Sequence, residues 1–149
     1  MDGLNLLDKE HHGFAGHVSP ATAWSCLAEN AEAVLVDVRT QAEWVFVGQP
    51  DLTNAAARLV CTEWQRFPEM LVNPDFVKKI VQEIADTAPT IFTLCRSGVR
   101  SVAAARALTQ EGYASCYNVV GGFEGDPDEF GHRGSVSGWK FDGLPWVQM

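Results

Sequence analysis

The 149-residue chain lacks any apolar run near the roughly 20 residues that cross a bilayer, which excludes a membrane-spanning helix. Its first residues, MDGLNLLDKEHHGFAGH, have neither the basic start nor the long apolar core of a secretory signal, so the expected location is the cytoplasm. Positive charge is scarce: 11 Lys and Arg stand against 19 Asp and Glu, for a net charge of −8. That balance argues against unspecific nucleic-acid binding and against docking on an anionic membrane. No CxxC pair and no Cys/His cluster at ligand spacing is present, so neither a metal nor another cofactor is expected. Cys26, Cys61, Cys95 and Cys116 are widely spaced, and a cytosolic chain of this length needs no disulfide. No repeat, low-complexity tract or linker interrupts the chain, so residues 1–149 read as one domain.

What is there alternates between two patterns. VSPATAWSCLAEN reads as a helix, with Ser19 as cap, Pro20 at the first helical position, and Trp24, Leu27, Ala28 and Ala31 at helical spacing. AVLVDV is a short strand buried on both faces, and AARLVC is a second, weaker one. NPDFVKKIVQEIADTAP predicts a helix capped by Asn73 and led by Pro74, with Phe76, Ile80 and Ile84 on one stripe. TIFTLC is a buried strand, VRSVAAARALTQEG a helix that stops at Gly112, and ASCYNVVGG another strand. The economical fold is α/β, a mostly parallel central sheet with helices on both faces. From about residue 121 a Gly-, Pro- and aromatic-rich tail is expected to be irregular, and such tails are often functional. Cys26, Cys61 and Cys116 fall in apolar surroundings and are expected to be core or near-core residues.

TLCRSGVRS is different. Cys95 ends a strand and directly precedes a helix, where sites form in open α/β sheets. The first amides of a helix are unpaired and the dipole is positive there. A loop of Arg96, Ser97, Gly98, Val99 and Arg100 can therefore turn several amides towards the sulfur, with Gly98 supplying the backbone freedom. The expected result is a thiolate at neutral pH. Two arginines in one loop of an acidic chain suit a small anion. No histidine or carboxylate lies beside Cys95 in sequence, so the amides would have to activate the thiol without a dedicated base.

The motif LVDVRTQAEW, followed by TLCRSGVRSVAAARAL and GYASCYNVVGGFEG, resembles the rhodanese family of sulfurtransferases over about Val18 to Gly125. The closing GHRGSVSGWKFDGLPW resembles the tails of single-domain bacterial members. The resemblance implies a rhodanese-like fold and a persulfide on Cys95. The sulfur would come from a small anionic donor such as thiosulfate and pass to cyanide, a thiol, or a protein acceptor. It implies a six-residue loop, Cys95 to Arg100, with the amides of Arg96 through Ser101 cradling the sulfur. Arg96 follows the cysteine, as in thiosulfate-using relatives; Arg100 replaces a smaller residue and is either an anion contact or a surface charge.

Asp37, Arg39 and Glu43 are supporting residues. Either Asp37 and Arg39 shape the strand end beside the loop, or Arg39 and Glu43 form a local ion pair of about 0.5 kcal/mol that fixes a turn, which is the expected account. Trp44, Trp139 and Trp146 are expected to pack rather than wall a pocket. A second anion contact at His132 and Arg133 is not favoured, and His11, His12 and His17 are expected to be solvated. Two other functions compete. A cysteine-dependent phosphatase or arsenate reductase needs Cys, five residues, then Arg, but Ser101 stands at that distance. A non-catalytic rhodanese-like binding or regulatory module would typically lack the cysteine.

Overall fold

The structure, a computed structural model, describes residues 13–148. Its longer strands are β1 (Gly16–Val18), β2 (Val34–Asp37), β4 (Arg58–Cys61), β7 (Ile91–Leu94) and β8 (Cys116–Val119). Two-residue strands β3 (Gln49–Pro50), β5 (Gln65–Arg66), β6 (Leu71–Val72) and β9 (Trp146–Val147) lie among them. The helices are α1 (Pro20–Glu29), α2 (Gln41–Phe46), α3 (Phe76–Glu83) and α4 (Val99–Glu111).

The five longer strands form one sheet in the order β1-β8-β7-β2-β4, and every pairing in it is parallel. The apolar runs are continuous because both sheet faces are covered. Val34, Val36, Ile91 and Cys116 point to one face, with Ala104, Ala105 and Leu108 of α4 and Phe76 and Ile80 of α3. Leu35, Phe92 and Leu94 point to the other, with Ala23 and Leu27 of α1 and with Phe123 and Trp139 of the tail. Successive side chains of a strand alternate between faces, which is how one run feeds two cores. The expected α/β architecture is the observed one.

Two expectations need correction. The helix foreseen across 73–89 is only Phe76–Glu83, and Asn73 does not cap it. Asn73 is buried, its Oδ1 accepts from the Asp75 amide at 3.0 Å, and its Nδ2 donates to the Glu63 carbonyl at 3.0 Å. The side chain that would cap the helix instead joins it to the neighbouring loop. The second concerns the tail from residue 121: it does not stay irregular to its end but closes in β9, which pairs antiparallel with β3.

Cys116 is fully buried, Cys26 and Cys61 are half-buried, and all four cysteines are free. Burial, then the charge of Asp37, pushes the Cys61 thiol up to about 12; burial alone pushes Cys116 up. Among the described residues no helix is long and apolar enough to cross a membrane, and no His/Cys/Asp/Glu group is arranged to hold a metal. His11 and His12 lie outside the described residues.

Candidate active site

The chain reverses its direction of strand addition between β2 and β7: β4 is added on one side of β2, and β7 and β8 on the other. A crevice opens at the C-terminal ends of strands where such a reversal occurs. Asp37 and Leu94, the last residues of β2 and β7, are in register there. A cleft of about 480 Å³ sits at this point, lined by Thr40 and Glu43 after β2, Cys95, Arg96, Ser97, Val99 and Arg100 after β7, and Gln65, Phe67 and Met70 of the β5–β6 hairpin.

Cys95 keeps only 1 % of its surface exposed, yet it forms part of the cleft wall. Gly98 stands at the N-cap of α4 with φ of 112°, a left-handed conformation that an L side chain opposes, and its amide donates to Cys95 Sγ at 3.0 Å. The Ser101 Oγ lies 3.2 Å from the same sulfur. The expected ring of amides from Arg96 through Ser101 is therefore reduced to one amide and one hydroxyl at bonding distance. Ser101, fully buried, is in contact through its side chain rather than its backbone. Arg96 is exposed beside the cleft and makes no ion pair among the described residues.

Arg100 has a partner. Its Nη1 and Nη2 donate to the two Glu43 carboxylate oxygens at 2.7 and 2.9 Å, with both side chains largely buried. The expected Arg39–Glu43 pair does not form. Glu43 is turned by a capping box: its amide donates to Thr40 Oγ1, and the Thr40 amide donates back to Glu43 Oε1. The TQAE motif carries that signal in the sequence, and the carboxylate so placed takes Arg100 as its partner. Burial raises the Glu43 carboxyl, but the hydrogen bonds and charge of Arg100, with the Thr40 amide and Arg39, outweigh it and hold the group below its ordinary range. Burial lowers Arg100, and Glu43, then the Cys95 sulfur and Asp37, more than offset this.

A carboxyl that is more acidic in the folded than in the unfolded chain stabilises fully above its unfolded value. It loses that contribution as pH falls through the folded one. Glu43→Gln is thus expected to cost about 1 kcal/mol near neutrality. That gap should begin to narrow as pH falls below the unfolded carboxyl's value of about 4.3, and close only below the lower folded one, where the carboxyl is protonated in both states. Urea denaturation of both chains at the two pH values checks it.

Arg39 is fully buried and pairs with Asp37: Nε donates to Oδ1 at 2.9 Å and Nη2 to Oδ2 at 2.6 Å. Nη2 also donates to the Gly48 carbonyl at 2.8 Å, and the guanidinium lies 4.2 Å over the Phe123 ring. The pair braces the end of β2 under the tail and does not line the cleft.

The sequence reading missed the tail's grip on the loop. The Phe123 amide donates to the Cys95 carbonyl at 2.7 Å, and the Glu124 and Gly125 amides donate to the Arg96 carbonyl at 3.0 and 3.1 Å. Gly122 packs so closely that a β-carbon there would lie 2.4 Å from the Cys95 carbonyl oxygen. The paired glycines of VVGGFEG were the available signal. Asn118, which accepts from Ser101 Oγ, was read only as a strand residue. Phe67 and Met70 had no periodic signal. Trp44, Trp139 and Trp146 do not line the cleft, and Trp139 is wholly buried. Arg133 donates to the Gly125 carbonyl, His132 is exposed, and neither lines the cleft. His17 is exposed, as expected, but it also bonds Asn118.

Residues 15–149 match the family model described as STR4 middle domain. An uncharacterized protein of Rickettsia conorii is 38% identical over 131 residues, covering 87% of this chain and 95% of that protein. Rhodanese-like domain-containing protein 4, chloroplastic, of Arabidopsis thaliana is 25% identical over 134 residues, covering 89% of this chain and 26% of that protein. The crystal structure of Rv0390 from M. tuberculosis is 44% identical with a TM-score of 0.80, over 91% of this chain and 99% of that one.

Proposed function

The chain belongs to the STR4 middle domain family, and on that premise we propose that it is a sulfurtransferase working through Cys95. The Cys95 thiolate attacks the outer sulfur of a small anionic donor such as thiosulfate. A new S–S bond forms, the donor's S–S bond breaks, and sulfite leaves with the bonding electrons. Cyanide, a low-molecular-weight thiol or a protein thiol, acting as its anion, then attacks the outer sulfur of the persulfide. That sulfur is transferred and Cys95 departs as thiolate. The observation that carries this reading is the Cys95 sulfur, held by the Gly98 amide and Ser101 hydroxyl in the wall of a cleft beside the unpaired Arg96.

Arg96 supplies the charge an anionic donor needs, whereas Arg100 is occupied by Glu43. The buried Ser101 stands where a phosphatase of this general fold would place its arginine, which favours sulfur over phosphoryl chemistry. Mass spectrometry of the full chain after incubation with thiosulfate is expected to show one added sulfur atom, lost on addition of cyanide. Cys95→Ser is expected to gain none. Absence of the adduct on the wild-type chain with every donor tried would favour a non-catalytic module. Turnover of an aryl phosphate comparable to that of thiosulfate would favour the phosphatase.

A further inference from the structure

Behind Cys95 a line of hydrogen bonds runs to the protein surface. Ser101 Oγ lies 3.2 Å from Cys95 Sγ and donates to Asn118 Oδ1 at 2.5 Å. Asn118 Nδ2 lies 3.1 Å from Nδ1 of His17. Cys95, Ser101 and Asn118 are all buried, whereas His17 is on the edge strand β1, in register with Asn118 of β8. An asparagine is a poor strand residue, and burying its amide is costly unless both ends are bonded. Here both ends are bonded.

Ser101 has one hydroxyl proton and two neighbours that compete for it. While the Asn118 oxygen faces Ser101, that proton is held by the amide. Ser101 can then only accept from the sulfur, so its matching partner is a neutral S–H. The Asn118 nitrogen, facing the other way, donates to a bare Nδ1 of His17. Turning the amide over keeps its shape and reverses every bond. Its nitrogen now donates to Ser101, the Ser101 proton is released towards the sulfur, and its oxygen requires a proton on His17 Nδ1. A protonated histidine always carries that proton. No proton travels along the line: the thiol proton leaves to water in the cleft, His17 takes one from solvent at the surface, and between them only the direction of donation changes.

We propose that Asn118 is a positioning residue that couples the protonation of His17 to the anionic state of the Cys95 sulfur by reversing its amide. The inference rests on reading Cys95 as the nucleophile. Each orientation satisfies every member of the line, so the two states differ little in energy and a surface proton can select between them. Among the described residues, the charged groups near this line are arginines and one carboxylate paired with an arginine, and these keep their charge between about pH 6 and 8. Arg100, paired with Glu43, and Arg96 flank the sulfur. Arg106 of α4 lies over the Phe14 ring, against whose face or edge His17 packs at 5.1 Å.

Alkylation of Cys95 by iodoacetamide, followed peptide by peptide in the full chain, tests the coupling without any sulfur donor. His17→Gln removes the titrating group from an exposed position. At about pH 6, Cys95 of this variant is expected to react about fivefold more slowly than in the wild type, and at about pH 8 at the same rate. In a Ser101→Ala background the His17 substitution is expected to change nothing, because the line is cut. Should that background not fold, the wild-type chain gives a second measurement. At one fixed pH, ¹⁵N spectra of the His17 ring are expected to show less Nδ1 protonation once Cys95 is alkylated. Matching pH profiles for wild type and His17→Gln, or a His17 effect that survives Ser101→Ala, would overturn the coupling. So would a ring spectrum indifferent to alkylation. Sulfur loading with no coupling sinks this inference alone, and coupling with no loading sinks only the proposed function.

Discussion

Alanine at position 122 is expected to destabilise the chain by about 2–4 kcal/mol and to abolish sulfur loading on Cys95. The added carbon would lie 2.4 Å from the Cys95 carbonyl oxygen and 2.7 Å from the carbonyl carbon and oxygen of Arg96. All three are backbone atoms, so no flexible side chain can give way. The native φ of 62° adds the left-handed cost of an L residue. Relief requires the tail to move off the loop, and that breaks the amide bonds to the Cys95 and Arg96 carbonyls. Gly131→Ala is the control. Its φ of 79° carries the same backbone cost, but nothing lies within 4 Å of the new carbon. About 1 kcal/mol and unchanged loading are expected there. Thermal melts and the thiosulfate adduct, measured on both variants, separate the steric effect from the conformational one.

Removing one member of the buried Asp37–Arg39 pair should cost still more stability. Asp37→Ala leaves a fully buried guanidinium without its carboxylate, and breaking such a pair costs about 3–5 kcal/mol. For a chain of this length that corresponds to a fall in Tm of about 10–15 °C. Desolvation decides the outcome. The same ion pair on the surface would be worth about 0.5 kcal/mol, and its loss would hardly move the melt. Replacing both residues by apolar ones of similar volume is expected to recover much of the loss, since no unpaired charge is then left inside. A double variant no more stable than Asp37→Ala would show that the hydrogen bond to Gly48, not the charge, is what matters.

The contrast between these residues shows what a sequence reveals. The route from β7 through Cys95 into α4 was legible because each step is local. An apolar run ends, a glycine permits a turn, and helical spacing resumes. Four of the sheet's five strands followed from the same local patterns; β1, only three residues long, did not. Ion pairing was not legible. Two acids and two arginines within reach of each other admit several pairings, and the true partner of Glu43 lies 57 positions away. Asn118 looked like a minor strand residue because Ser101 is 17 positions from it and His17 is 101. The β5–β6 hairpin contributes Phe67 and Met70 to the cleft from the turn that joins strands of two residues each, too short for any period to show. Asn73 looked like a helix cap until the Glu63 carbonyl claimed it.

The tail's hydrogen bonds also set its length. The Trp139 amide returns to the Gly122 carbonyl, Lys140 to Phe123, and Gly134 to Glu124, while residues 123 to 125 hold the loop at Cys95 and Arg96. Two tethered points thus enclose an arc whose outer part, from Asp126 to Phe130, is largely open to solvent. Insertions are tolerable in that arc. At its roots one extra residue would shift every donor off its acceptor, so a stretch that reads as a permissive loop acts as a spacer of fixed length.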